Sequence, residues 1–138
     1  MIRVQKEDFD IGELLSAVKS PRVGGVSCFL GCVRDSSQGR RVERMSIEVY
    51  EEMAAAELEK IRDEALERFQ VEEAVVVHRY GDLEVGDNIV FIAVGAAHRE
   101  EAFQACRYIL EELKRRVPIW KKEVSPDGEH WVEGVRPG

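Results

Sequence analysis

Two apolar runs, Val26 to Val33 and Asn88 to Ala97, most constrain what this chain can fold into. Each has the length and the Val, Ile and Phe content of a strand, and Gly24-Gly25 opens the first. The first reads as a strand buried on both faces. Between and around them the pattern changes period. Glu51 to Gln70 places Ala54, Leu58, Ile61, Ala65 and Phe69 at helical spacing, and a second long helix is predicted from about Arg99 to Val117. Asp10 is placed to cap a shorter helix through Ile11, Leu14, Leu15 and Val18, which Pro21 ends. Ile2 to Val4, Val42 to Tyr50, Val71 to Tyr80, Trp120 to Val124 and His130 to Val132 read as further strands. The last two flank the Pro126-Asp127-Gly128 turn. Asp35 to Arg41 reads as a polar loop. Gly81-Asp82 and Gly86-Asp87 read as turns, because no Gly-Lys-Ser/Thr ending makes that spacing a phosphate loop. The order β-α-β-β-α-β-β-α-β-β predicts an α+β fold: a mainly antiparallel sheet with helices packed on one side.

Composition narrows the class. At 138 residues, with 44% hydrophobic and 34% charged side chains, residues 1–138 are expected to form a single domain with a substantial core. A net charge of -7 argues against a general nucleic-acid binder. The N-terminus has no apolar signal-like region and no run approaches membrane-spanning length, so the chain is expected to be cytoplasmic and away from membranes. Cys28, Cys32 and Cys106 are odd in number and lack zinc spacing. They read as reduced, buried structural residues, with a thiol nucleophile at Cys28 or Cys32 as the sharper alternative. His78, His98 and His130 form no spaced ligand motif, so no metal is expected.

Against this acidic background, five of the 20 Lys and Arg fall within Leu113 to Glu123. Such a cluster suggests a site for an anion. By helical arithmetic Lys114 lies about 20° from Phe103, at the margin of the stripe Ala102, Phe103, Cys106, Ile109, Leu110, Leu113 and Val117. It is either a partly desolvated amine with a lowered pKa or a lysine snorkelling at a helix C-terminus. Lys121 and Glu123 share one face of the following strand while Lys122 points the other way, so Glu123 is placed to pair with Lys121. His98-Arg99 sits where a buried strand becomes a helix, a position suited to phosphate. Arg34 leaves the strand containing Gly31 and can close on an anion or simply begin the polar loop. Ile119 and Trp120 line a groove or belong to the core.

The motifs Phe29-x-Gly31-x-Val33-Arg34, His78-Arg79-x-Gly81-x-Leu83-x-x-Gly86-Asp87, Ala97-His98-Arg99, Lys114-x-Arg116-x-Pro118-x-Trp120-Lys121-Lys122-Glu123 and Trp131-Val132-Glu133 occur in this order. Together they resemble the large, catalytic subunit of molybdopterin synthase, from about Val26 to Glu133. The resemblance implies an α+β fold with a hammerhead-like subdomain. It implies a central homodimer within a heterotetramer, each copy binding a small ubiquitin-like sulfur-carrier subunit whose C-terminal Gly-Gly tail enters as a thiocarboxylate. It implies cyclic pyranopterin monophosphate as substrate, sulfur transfer to form the dithiolene, and no cofactor or metal. Position by position it implies Lys114 and Lys121 as catalytic. It implies Cys32, Val33, Arg34, His98, Arg99, Lys122 and Glu123 as substrate-binding alongside them, and Phe29 and Arg116 as pocket wall. Cys32 departs from relatives that carry a basic side chain there. Two rival readings are a cysteine-dependent hydrolase pairing Cys28 or Cys32 with His98, and a non-catalytic module using Lys114 to Lys122 as a basic strip.

Overall fold

The computed structural model describes residues 1–132. In chain order its elements are β1 (Ile2–Gln5), α1 (Ile11–Ala17), β2 (Gly25–Cys32), β3 (Ser36–Ser37), β4 (Arg40–Arg41), β5 (Arg44–Val49), α2 (Glu51–Arg68), β6 (Glu73–Arg79), β7 (Gly81–Glu84), β8 (Asn88–Ala96), α3 (Arg99–Arg116), β9 (Ile119–Ser125) and β10 (Gly128–Trp131). Asp10 caps α1 as its position predicts, its Oδ1 accepting from the Glu13 N–H at 3.2 Å. The expected α+β architecture holds. Glu133, the last residue of the final motif, lies outside the described residues.

The strands form two four-stranded sheets rather than one. The first has the order β1-β6-β8-β2 and is antiparallel apart from the β1–β6 pair. The second, β10-β9-β5-β7, is antiparallel throughout. Side-chain alternation then sorts the residues. Ala74, Val76, Val90, Ile92 and Val94 of the first sheet meet Met45 and Ile47 of the second in one core, closed by Leu58 and Ile61 of α2 and Ile109 and Leu113 of α3. Val75, Val77, Phe91 and Ala93 face the other way, onto Leu14 and Val18. Helices therefore cover both faces of the first sheet, not one, with α1 alone on the second face.

α1 has seven residues and covers only the middle of that face. This corrects the reading of Val26 to Val33 as doubly buried. β2 is an edge strand, and Cys28, Leu30 and Cys32 are exposed along it while Cys106 alone of the three cysteines is buried. The segment read as a loop carries the β3–β4 ladder, turned through Gln38 and Gly39, both at positive φ, 50° and 77°. The first of the two glycine turns is the start of strand β7, paired with β5 from Gly81 to Glu84.

α2 and α3 are joined by an ionic clamp. Arg116, near the end of α3, donates to Glu64 at 2.6 and 3.0 Å, to Glu57 at 2.8 Å and to Glu112 at 3.1 Å. The Tyr108 hydroxyl also donates to Glu64, at 2.7 Å. The guanidinium, with help from Tyr108, holds the Glu64 carboxyl down at about 2. A carboxylate so depressed stabilises the fold above its unfolded value near 4.5 and loses that contribution as pH falls toward 2. Arg116→Leu should therefore lower stability by about 2 kcal/mol at pH 7. Denaturant titrations at pH 7 and pH 3 should show the difference between variant and parent shrinking in acid; an equal difference at both would sink the clamp.

Candidate active site

The site is built where α3 ends and β9 begins. The Val117 N–H donates back to the Leu113 carbonyl at 3.1 Å, closing the helix. Pro118 cannot continue it, and the Ile119 N–H donates to the Val117 carbonyl at 2.8 Å in a turn centred on Pro118. The chain thus passes from helix to strand within two residues. Lys114, in the last turn of α3, and Lys121, on the inner face of β9, come to line one cleft of about 470 Å³. Phe29, Cys32, Arg34 and Glu123 line it too.

The cleft wall depends on local exceptions in β2 and β8. Gly31 stands opposite Val90, and a Cβ at Gly31 would lie 2.9 Å from the Val90 Cγ1 and 3.3 Å from the Phe29 ring. Just beyond it the register slips between Gly31 and Cys32, so Ile89 becomes the extra residue and turns toward the cleft. Ser37 of β3 reaches the rim, and Leu110, Leu113 and Met45 form an apolar floor. Sequence patterning placed Leu110 and Leu113 on the apolar stripe of the helix and did not single out Met45; the bulge left no trace in the sequence.

The sequence left Lys114 open between a partly desolvated amine and a lysine snorkelling at the helix C-terminus, and the structure gives the exposed alternative. Phe103, the marker for the stripe margin, is 57% exposed, because the buried face of α3 centres on Ala102, Ala105, Cys106, Ile109 and Leu113. Lys114 at the same azimuth is exposed. The desolvated amine is Lys121, held below the ordinary lysine range first by burial and second by the positive charge of Lys114. Glu123 is buried on the same strand face, as alternation predicts. Among the described residues no ion pair joins it to Lys121, and only burial and Lys114 act on that amine.

Other expected site residues are elsewhere. Lys122 points out of the opposite face, pairing with Glu129 at 2.8 Å and lying 5.5 Å from the centre of the Trp131 ring. Arg116 is not pocket wall but the inter-helix clamp. The Val33 side chain is in the core, and its backbone bonds to Gly86 and Asp87 in the turn before β8. Trp120 is buried, edge-to-face with Tyr50 at 5.1 Å, so it is core rather than groove. His98 and Arg99 cap and begin α3, and 15 helical residues separate Arg99 from Lys114, about 22 Å along the axis. One small ligand cannot span that distance.

These placements weaken both rivals. Cys32 is in the cleft, but His98 is at the far end of α3, so no thiol–imidazole pair forms there within one chain. The basic strip is mostly neutralised: Arg115 pairs with Glu112, Arg116 with three glutamates, and Lys122 with Glu129. Among the described residues, no group of three or more His, Cys, Asp or Glu is arranged to hold a metal ion, and no helix is long and apolar enough to cross a membrane.

Fold and cleft together define an α+β protein with two amines and a guanidinium in one cleft. Comparison with known proteins makes this specific. Residues 4–116 match the MoaE protein family. The chain is similar to the molybdopterin synthase catalytic subunit of Pyrococcus abyssi, 52% identical over 130 residues that cover 94% of this chain and 88% of that one. Its fold matches the crystal structure of molybdopterin synthase from Staphylococcus aureus with a TM-score of 0.90 at 34% identity, covering 95% and 96% of the two chains. It matches the molybdopterin biosynthesis MoaE protein of Burkholderia ambifaria at 0.83 and 40% identity, covering 99% and 91%. The chain belongs to the MoaE family, the catalytic subunits of molybdopterin synthase.

The lowered Lys121 value carries a stability consequence. The unfolded chain binds this proton more tightly than the folded one, so the lysine opposes folding below its folded value. That penalty disappears as pH rises past the unfolded value near 10.5. Lys121→Met should raise the thermal midpoint by about 3 °C at pH 7. Calorimetry should find the gain fading by pH 10.5; a gain independent of pH would contradict the assignment.

Proposed function

We propose that the cleft moves sulfur from the thiocarboxylated tail of a small ubiquitin-like carrier subunit to cyclic pyranopterin monophosphate, making the dithiolene of molybdopterin. The observation that carries this reading is the convergence of Lys114, Lys121 and Arg34 on one cleft with an apolar floor. Both reactants are anions, and two anions approach each other only where fixed cations replace water. The apolar floor of Leu110, Leu113 and Met45 suits the flat pterin, while Arg34 offers a planar donor fork to its phosphate.

The chemistry requires a thiocarboxylate sulfur to bond to a side-chain carbon of the pterin as a carbon–oxygen bond at that carbon breaks, the oxygen departing with the phosphate or as water. Water then adds to the acyl carbon, the acyl–sulfur bond breaks, and the tail leaves as a carboxylate. Two sulfurs need two charged carriers in turn. Lys114, exposed at the cleft mouth, is placed to meet the tail carbonyl, stabilise its oxyanion and supply a proton. Lys121 lies deeper and holds the phosphate or the departing oxygen, with Glu123 beside it on β9.

His98 and Arg99 enter this site only from a second copy of the chain, which fits a homodimer at the centre of a heterotetramer. In that arrangement the positive start of one α3 faces the Lys114 end of another cleft. Lys122 acts by keeping β10 on β9 through Glu129 rather than by touching substrate.

Lys114→Ala should cut dithiolene formation from thiocarboxylated carrier by about 10²–10³-fold while leaving the unfolding midpoint close to that of the parent. Unchanged turnover would end the assignment. Cys32 offers a reading independent of turnover, since that residue lines the cleft whereas Cys28, equally exposed, does not. Saturating cyclic pyranopterin monophosphate should slow iodoacetamide labelling of Cys32 several-fold and leave Cys28 unaffected. Equal protection of both, or of neither, would place the substrate elsewhere.

A further inference from the structure

The motif His78-Arg79-x-Gly81-x-Leu83-x-x-Gly86-Asp87 has no part in the reaction described above, yet its last two residues bond to the residue before Arg34. Gly86 and Asp87 form the turn between β7 and β8. Gly86 stands at φ 91°, a conformation that strains any residue with a Cβ. Asp87 binds both backbone groups of Glu84: its N–H donates to the Glu84 carbonyl at 2.9 Å, and its Oδ2 accepts from the Glu84 N–H at 2.8 Å. Arg79 of β6 fastens the far side of the turn. Its Nη1 donates to the Asn88 carbonyl at 3.1 Å, and its Nε donates to the Lys6 carbonyl at 3.0 Å. Side chains as well as backbone therefore hold this turn in place.

The exit of β2 lies against it. The β2–β8 ladder ends at Cys32, just past the register slip. Val33 continues with two bonds of its own. Its N–H donates to the Asp87 carbonyl at 3.0 Å, and its carbonyl accepts from the Gly86 N–H at 2.7 Å. The Val33 side chain is buried in the core. On the other side of Arg34, the Asp35 carbonyl accepts from the Val42 N–H at 2.7 Å. The backbone of Arg34 is thus tethered before and after. Its side chain lines the cleft and has no hydrogen bond or ion pair among the described residues. With no partner of its own, the guanidinium is aimed by the backbone that carries it.

We propose that Asp87 is a positioning residue for Arg34: by closing the β7–β8 turn it holds the Gly86 N–H and its own carbonyl where they clasp Val33, and so fixes the point from which the guanidinium enters the cleft. The carboxylate serves as an acceptor for the Glu84 N–H, and no ion pair joins it to Arg34 among the described residues. The inference rests on the reading that gives Arg34 the substrate phosphate, but the clasp itself can be read without ligand.

Amide hydrogen exchange reads the clasp. In Asp87→Ala the Val33 N–H should exchange about 10-fold faster than in the parent, while that of Ile92 in the middle of β8 holds its rate. Asp87→Asn, whose amide oxygen still accepts from Glu84, should restore the parent rate at Val33. Calorimetric binding of cyclic pyranopterin monophosphate, without carrier, reads the consequence. Arg34→Ala should weaken binding about 10-fold, and Asp87→Ala about 5-fold in the parent but not further in the Arg34→Ala background. A Val33 amide indifferent to Asp87→Ala, an equal loss of affinity in the two backgrounds, or Asp87→Asn behaving as Asp87→Ala overturns the inference. If the Val33 amide loosens while Arg34→Ala by itself leaves binding intact, the clasp stands and the phosphate role given to Arg34 falls. If Asp87→Ala does not fold, Gly86→Ala takes its place with the same two readings, because it strains the turn yet its Cβ meets no atom within 4 Å.

Discussion

The break at Val117-Pro118 is the constraint on which the site depends. A helix that ran one turn further would carry Lys114 away from β9, and a longer connection would let Lys121 drift along the sheet. Proline stops the helix because it lacks the N–H and clashes with the preceding turn. The single-residue turn it forms starts β9 directly from the end of α3, which brings Lys121 to the same cleft as Lys114. The clamp of Arg116 on Glu57 and Glu64 then holds that end of α3 against α2. Position and rigidity of the paired amines thus come from two adjacent features of one stretch of chain.

Electrostatics works by subtraction. The stretch from Leu113 to Glu123 carries five cations, and the fold removes three by giving them glutamate partners. Lys114 and Lys121, which have no ion-pair partner among the described residues, remain for the cleft. An acidic protein with net charge -7 thereby keeps a local positive field facing an apolar floor, where water screens it least. Burial first, and repulsion from Lys114 second, keep the deeper amine below its ordinary range, so the site itself sets the readiness of Lys121 to give up its proton.

Much of the fold was legible. The three helices, the Asp10 cap and most strands follow from period and punctuation, because amphipathic spacing records which face each element buries. The failures share a cause. β2 reads as doubly buried because its composition is apolar, yet its position at the sheet edge leaves alternate side chains exposed. β7 and the β3–β4 ladder are too short, and too rich in turn residues, to declare themselves. Lys114 was placed by reference to Phe103, an apolar residue that turned out to face solvent. Hydrophobicity says that a residue tolerates burial, not that something arrives to bury it.

What the sequence by itself determined is the element order, the α+β class, the end of the last helix before Pro118 and the clustering of cations around it. These are local properties, written in adjacent side chains and in the order of motifs. What only the tertiary structure decided is which cations stay unpaired, that Lys121 rather than Lys114 is desolvated, and that His98 and Arg99 stand a helix length from the cleft. Each of these depends on contacts between strands and helices far apart in the chain. Burial, charge pairing and lone-pair satisfaction are all set by such contacts, and no periodicity records them.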